Sequence, residues 1–274
     1  MSANPLALPR ELAGDIGIVL AAARDGDYMG LESPREVPAE VPHAPRWWTP
    51  IAEVNKATQG GIYGVTGLGG DAGAGKSFFA MATALRAVLR DDQRVVYLAA
   101  EMAMGQIQER MLWIANAWGH SREQVNAELD SGRLTLFFRK GRITWREVCG
   151  EIASALYEAP TGLLIVDSIN SLLASLGPGE GYWTAYESIV ETLLTTRKVT
   201  EGRFCALVLS ELNQRGGSKG EKLEYASDLM LNFKHTTTPR VADVRITKNR
   251  ERGDNGPMGK FSIMPEAVYA RVQV

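Results

Sequence analysis

Gly70-Asp71-Ala72-Gly73-Ala74-Gly75-Lys76-Ser77 is an intact G-x-x-x-x-G-K-[ST] loop. An apolar, β-leaning run, Gly61-Ile62-Tyr63-Gly64-Val65-Thr66, precedes it, and Phe78 to Leu89 after it reads as helix. Strand, glycine-rich turn and helix is the context that makes this motif a phosphate site. The glycines let the backbone curl with its N–H groups pointing inward, and the helix N-terminus adds positive potential. Lys76 is suited to reach β/γ-phosphates and the Ser77 hydroxyl to sit on Mg²⁺. Residues Gly70 to Ser77, with Phe78 beside them, are therefore the candidate nucleotide-binding set, with ATP and Mg²⁺ as expected ligands.

The rest of the composition narrows the classes without naming one. With 274 residues the chain can hold one large α/β domain and an appendage. Apolar content of 45% and charged content of 23% are ordinary for a globular protein. A formal net charge of −2 gives no global basic field, so any nucleic-acid contact must come from a local basic loop. Cys149 and Cys205 fall inside a predicted helix and a predicted strand, and each reads as a small buried hydrophobe. No apolar run approaches transmembrane length and the N-terminus lacks a signal pattern, which makes the cytoplasm the expected location.

Along the chain, Leu6 to Ala23 could form a short amphipathic helix interrupted by Pro9 and Gly14, followed by a proline-rich passage from Pro34 to Pro45. Residues 1–46 are thus expected to be an arm and linker, and 47–274 the main domain. Thr49 before Pro50 suits a helix start, and Ile51 to Thr58 reads as that helix. Trp47 and Trp48 read as packing residues, with a base-stacking platform as the alternative. Arg94 to Ala100 is a buried-type strand running into Glu101. An acid at the carboxyl end of such a strand could polarise the water that attacks the γ-phosphate, or could simply be a solvated cap. Gln106 to Trp118 reads as helix, Leu134 to Phe138 as strand and Thr144 to Tyr157 as helix. Leu163-Leu164-Ile165-Val166-Asp167 is four aliphatics delivering a carboxylate, the oxygen ligand that Mg²⁺ requires.

Leu176 to Trp183 reads as a loop with an aromatic tip, Ala185 to Arg197 as helix and Phe204 to Ser210 as strand. The polar cluster Glu211-Leu212-Asn213-Gln214 follows. Arg215 to Lys222 is glycine-rich and carries the cations Arg215, Lys219 and Lys222, either a solvent loop or one that tracks a nucleic-acid backbone. Strands at Leu229–Phe233 and Asp243–Thr247, a turn over Gly253–Gly259, a strand over Lys260–Met264 and a final one over Val268–Val272 complete the pattern. The expected fold is α/β, a mostly parallel twisted sheet flanked by helices and extended by an antiparallel C-terminal edge.

Tyr97-Leu98-Ala99-Ala100-Glu101-Met102 with Gln106, Arg110 and Met111, Ser210-Glu211-Leu212-Asn213, and Lys248-Asn249-Arg250 with Gly256-Pro257-Met258-Gly259 together resemble the RecA-like P-loop ATPase core. Within it they are similar to the DnaB-type replicative helicases, while Ile165-Val166-Asp167-Ser168-Ile169 looks closer to the RadA-type branch. The resemblance covers about residues 47 to 273. It implies that Glu101 is the catalytic glutamate. It also implies that Lys248 and Arg250 act in trans on the γ-phosphate held by an adjacent subunit, and that Arg215, Lys219 and Lys222 belong to a DNA-binding loop. The family's γ-phosphate-sensing glutamine is Glu211 here; a carboxylate donates no hydrogen bond unless protonated, so Asn213 or Gln214 is a substitute. The resemblance implies an ATP-hydrolysing oligomer on single-stranded DNA, most of all a hexameric helicase ring with loader or primase partners. A filament-forming recombination or repair ATPase and a non-motor KaiC-like accessory ATPase are the alternatives.

Overall fold

The computed structural model describes residues 45–138, 162–173, 182–199, 203–211, 221–251, 255–263 and 269–272. The N-terminal helix and proline-rich passage, the helix at 144–157 with Cys149, most of the loop at 176–183, and residues 212–220 lie outside them. The elements are α1 (Ala52–Ala57), β1 (Val65–Gly70), α2 (Lys76–Leu89), β2 (Val95–Ala99), α3 (Met104–Ala117), α4 (Arg122–Asp130), β3 (Leu134–Phe138) and β4 (Gly162–Asp167). Then come α5 (Ile169–Leu173), α6 (Tyr182–Val199), β5 (Phe204–Glu211), α7 (Glu221–Ala226), β6 (Leu229–His235), β7 (Val241–Asn249), β8 (Gly256–Ile263) and β9 (Tyr269–Arg271).

The strands join in one sheet in the order β3-β2-β4-β5-β1-β6-β7-β8-β9. Pairing is parallel from β3 through β6 and antiparallel from β6 through β9. Strand alternation feeds two cores. Tyr97, Ile165 and Leu207 join Phe79, Met81 and Leu85 of α2 and Ile107, Met111 and Ile114 of α3. The intervening Leu98, Val166 and Val208 meet Ile169 of α5, Tyr186 and Ile189 of α6, and Leu223 of α7. Both faces of the parallel part are covered, which is why its strands read as unbroken apolar runs. Among the described residues no helix is long and apolar enough to cross a membrane.

Three local expectations need correcting. The strand before the phosphate loop is Val65–Gly70 rather than 61–66, so glycines that read as turn lie in the sheet. Close packing explains their choice: a Cβ on Gly67 would lie 2.3 Å from the Met230 sulfur, and one on Gly70 would lie 2.6 Å from the Phe233 carbonyl oxygen. Gly256-Pro257-Met258-Gly259 is no turn but the start of β8, paired with β7 through an irregularity at Val244/Arg245. Thr49 does not cap α1, whose N-cap is Ile51; its hydroxyl instead donates to Asn55 Oδ1 at 2.8 Å. The tryptophans pack: Trp47 is buried and bridged to Ile62, and Trp48 meets Trp118 edge-on.

Buried Asp228 joins the amino ends of β1 and β6. It accepts the Val65 N–H at 2.9 Å and the Arg197 guanidinium at 2.7 Å, with Arg250 at 3.5 Å. Gly64 has φ of +53° and leaves room for this carboxylate, because a Cβ there would sit 2.3 Å from Asp228 Oδ2. The Arg197 side chain is 35% exposed, so removing the carboxylate chiefly leaves the buried Val65 N–H without its acceptor. Asp228→Ala is expected to lower stability by about 2 kcal/mol, read from the midpoint of urea unfolding at unchanged m-value.

Candidate active site

The phosphate loop leaves β1 between its parallel neighbours β5 and β6 and enters α2 at Lys76. Gly73 (φ +75°) and Gly75 (φ +88°) adopt the left-handed conformation that turns successive N–H groups toward one point. Strand β6 ties the loop down: the Asp71 N–H donates to the Phe233 carbonyl at 3.0 Å, and the His235 N–H to Asp71 Oδ2 at 2.9 Å. His235 Nε2 lies 2.7 Å from the Ala72 carbonyl oxygen. Lys76 Nζ donates to the carbonyls of Gly70 and Asp71, both at 2.8 Å. Burial lowers the Lys76 pKa, while Asp167, Glu211, Glu101 and Asp71 act in the opposite sense. Phe78 is half-buried, and the Arg110 guanidinium lies 5.4 Å from its ring centre.

Asp167 ends β4 as expected. Its Oδ1 accepts the Ser77 hydroxyl at 3.2 Å and its Oδ2 the Tyr97 hydroxyl at 2.7 Å. Burial raises the Asp167 pKa, opposed by these two hydrogen bonds and by Lys76. Burial and the Asp167 charge push the Tyr97 phenol well above its ordinary value. Sequence reading missed Tyr97, because only the alternation of β2 aims it at Asp167. It also missed His235, whose role depends on β6 lying beside β1.

These groups open into a cavity of about 640 Å³ lined by Lys76, Ser77, Glu101, Asp167, Glu211 and Arg240, among others. The structure thus brings Glu101 and Glu211 together with the loop. The Glu211 N–H donates to Asn170 Oδ1 at 3.1 Å, and the Ser210 hydroxyl donates to the same oxygen at 3.2 Å. The outer wall is one stripe of α3, Gln106, Glu109, Arg110 and Trp113, spaced i, i+3, i+4, i+7. Arg240 enters from the β6–β7 turn with φ of +59°. Asn213, Arg215 and Lys219 lie outside the described residues. Lys222 belongs to α7 rather than to a loop, and its side chain is not described.

Lys248 and Arg250 are not among the described residues lining the cavity. Lys248 Nζ donates to the carbonyl of Tyr225 at 2.7 Å and to that of Glu224, and Arg250 Nη2 to that of Tyr225 at 2.6 Å. The Arg250 N–H meets the Asp228 carbonyl and the Asp228 N–H the Val65 carbonyl, so Arg250 is level with the start of β1. Gly70 lies at the far end of that strand, about 17 Å away at roughly 3.3 Å per residue.

The donor set suits a nucleoside triphosphate with Mg²⁺. The loop offers N–H groups and one ammonium to phosphate, and Ser77 and Asp167 offer adjacent hard oxygens. Among the described residues no group of three or more His, Cys, Asp or Glu could hold a metal. Mg²⁺ needs none, since it takes one or two protein oxygens together with phosphate and water.

A family described as AAA domain matches residues 39–202. No curated protein matches the chain. A KaiC-like protein from the hyperthermophilic archaeon Pyrococcus horikoshii superposes with a TM-score of 0.65 at 18% identity, over 83% of this chain and 99% of that one. A RadB recombinase does so with a TM-score of 0.59 at 17% identity, over 81% and 97%. Both likenesses support the RecA-like fold.

Burial raises the Asp167 pKa in the folded chain, so the ionised carboxylate destabilises the fold. That penalty is full above the raised pKa and vanishes as pH falls below the ordinary carboxylate range. Asp167→Asn is therefore expected to melt higher than the unmodified chain at pH 7, the gap closing as pH falls. Turnover of ATP with Mg²⁺ should fall by more than about 100-fold.

Proposed function

From the premise that this chain belongs to the AAA domain family, we propose that it is an oligomeric ATP-driven motor on single-stranded DNA, built as a hexameric replicative-type helicase core. The split of the machinery supports this most. Lys76, Ser77, Glu101 and Asp167 share one cavity at the carboxyl ends of the parallel strands, while Lys248 and Arg250 sit together near the amino ends. A chain that carries both halves at opposite ends of its sheet completes each site with a second copy.

In this reading Lys76 exchanges its two carbonyl partners for β/γ-phosphate oxygens, and Ser77 and Asp167 hold Mg²⁺. The metal, when bound, neutralises charge on the phosphate oxygens. Glu101 takes the proton of a water that attacks the γ-phosphorus as the bond to the bridging oxygen breaks, giving ADP and phosphate. Arg250 and Lys248 of the neighbouring copy stabilise charge on the transferring group. Arg215, Lys219 and Lys222 are the candidate contacts to the DNA backbone.

A second reading, an ATPase that switches partner binding without translocating, is favoured by Glu211. Its carboxylate lines the cavity where a donor would sense phosphate directly. ATP turnover with and without single-stranded DNA, alongside the mass in solution, separates the two. The motor is expected to be oligomeric and accelerated by DNA in a salt-sensitive way; a DNA-indifferent rate supports the switch. Lys76→Ala is expected to abolish hydrolysis. Arg250→Ala should keep nucleotide affinity within about threefold and lower turnover by about 10³-fold.

A further inference from the structure

A phenol is an awkward group to place inside an apolar strand, because its hydroxyl must find a partner away from water. Tyr97 is fully buried in the middle of β2, and its ring packs in the core shared with α2 and α3. Its hydroxyl donates to Asp167 Oδ2 at 2.7 Å. Tyr97 is not among the cavity-lining residues, so it meets Asp167 from the core side and touches neither the nucleotide site nor solvent.

Register explains why the residue is a tyrosine. In the parallel β2–β4 pair Tyr97 lies opposite Ile165 and Ala99 opposite Asp167, so Tyr97 and Asp167 are diagonal neighbours on one face. Two residues along and one strand across put their Cα atoms about 8 Å apart. A tyrosine bridges that gap; serine or threonine falls short. Strand β2 also holds the main chain of the acid, since the Ala100 N–H donates to the Asp167 carbonyl at 2.8 Å. From the cavity side the Ser77 hydroxyl donates to Asp167 Oδ1 at 3.2 Å. With one hydroxyl on each oxygen, the plane of the carboxylate has a single orientation. The Tyr97 bond is the shorter of the two and comes from the more rigid support, a ring enclosed by close-packed neighbours.

We infer that Tyr97 is a positioning residue acting through Asp167: its hydroxyl fixes the orientation in which the carboxylate meets Mg²⁺, and thereby sets the preference of the site for Mg²⁺ over Ca²⁺. This rests on the reading that Ser77 and Asp167 hold the metal. Mg²⁺ demands near-ideal octahedral geometry with short bonds, whereas Ca²⁺ accepts more oxygens at varied angles. A carboxylate free to turn therefore costs Mg²⁺ more than Ca²⁺. Groups that orient a metal's ligands are worth about 10–100-fold in metal affinity.

The test measures how much Mg²⁺ or Ca²⁺ the full-length protein needs to retain a fluorescent, non-hydrolysable ATP analogue, so no turnover is read. Tyr97→Phe keeps the ring in the core and removes only the donor, and Tyr97→Met is a second replacement without one. Both are expected to need about 10-fold more Mg²⁺ for half-maximal retention, and no more than about threefold more Ca²⁺. Affinity for the analogue without metal should stay within about twofold, because the phosphate-loop N–H groups and Lys76 are untouched. In an Asp167→Asn background Tyr97→Phe should add nothing, since the two residues act as one unit. An unchanged Mg²⁺ requirement in Tyr97→Phe, with the response of the unmodified chain lost in Asp167→Asn, overturns the positioning role and leaves the metal reading standing. Equal rises for Mg²⁺ and Ca²⁺, or an additive effect in the Asp167→Asn background, also overturn it. An unmodified chain that retains the analogue with no response to either metal removes both readings.

Discussion

The rest of the site depends on one buried carboxylate. Asp167 is nearly sealed from solvent, and a buried charge is tolerated only when hydrogen-bonded. Its two oxygens take hydroxyls from different elements, Ser77 at the start of α2 and Tyr97 in the middle of β2. Those bonds fix the rotation of α2 about its axis and hence where Lys76, one residue before Ser77, begins. They also hold β2 against β4, which sets Glu101 beyond its carboxyl end. The phosphate loop, Asp167 and Glu101 therefore form one arrangement with a shared point of support.

A second buried carboxylate organises the opposite end of the strands. Asp228 binds the first residue of β1, the guanidinium on α6 and, more loosely, Arg250. Through Arg250 it reaches the carbonyl end of α7, where Lys248 also donates. Cations at a helix C-terminus satisfy carbonyls that the helix leaves open, although α7 is short and the side-chain contacts matter more than its dipole. The two carboxylates thus anchor opposite ends of the parallel strands.

How much of this was legible in sequence follows from range. The loop, its helix and the places of Glu101 and Asp167 at the carboxyl ends of strands are visible because each belongs to a contiguous run with a clear local pattern. Tyr97 was invisible because an aromatic inside an apolar strand reads as core, and its hydroxyl finds Asp167 only through the register of β2 against β4. His235 and Arg240 come from β6 and the turn after it, and only strand order brings that turn to the loop. The frame of β1 was misjudged for a different reason. Glycine carries no strand signal, yet Gly67 and Gly70 are required where β6 side chains and backbone press closest. Pro257 hid the start of β8 in the same way, by looking like a turn.

Glu211 sets an acid at the carboxyl end of β5, on the wall of the cavity. It is the register partner of Gly70, so its side chain leaves β5 beside the phosphate loop. A carboxylate there adds to Asp167 and Glu101 and can accept but not donate toward phosphate. Its backbone remains fastened, since Asn170 of α5 accepts both the Glu211 N–H and the Ser210 hydroxyl. Asn170 follows Asp167 by three residues, so α5 ties Asp167 to the end of β5 through Asn170. The main chain at Glu211 is thus tied to Asp167 through α5 even though the Glu211 side chain is no donor.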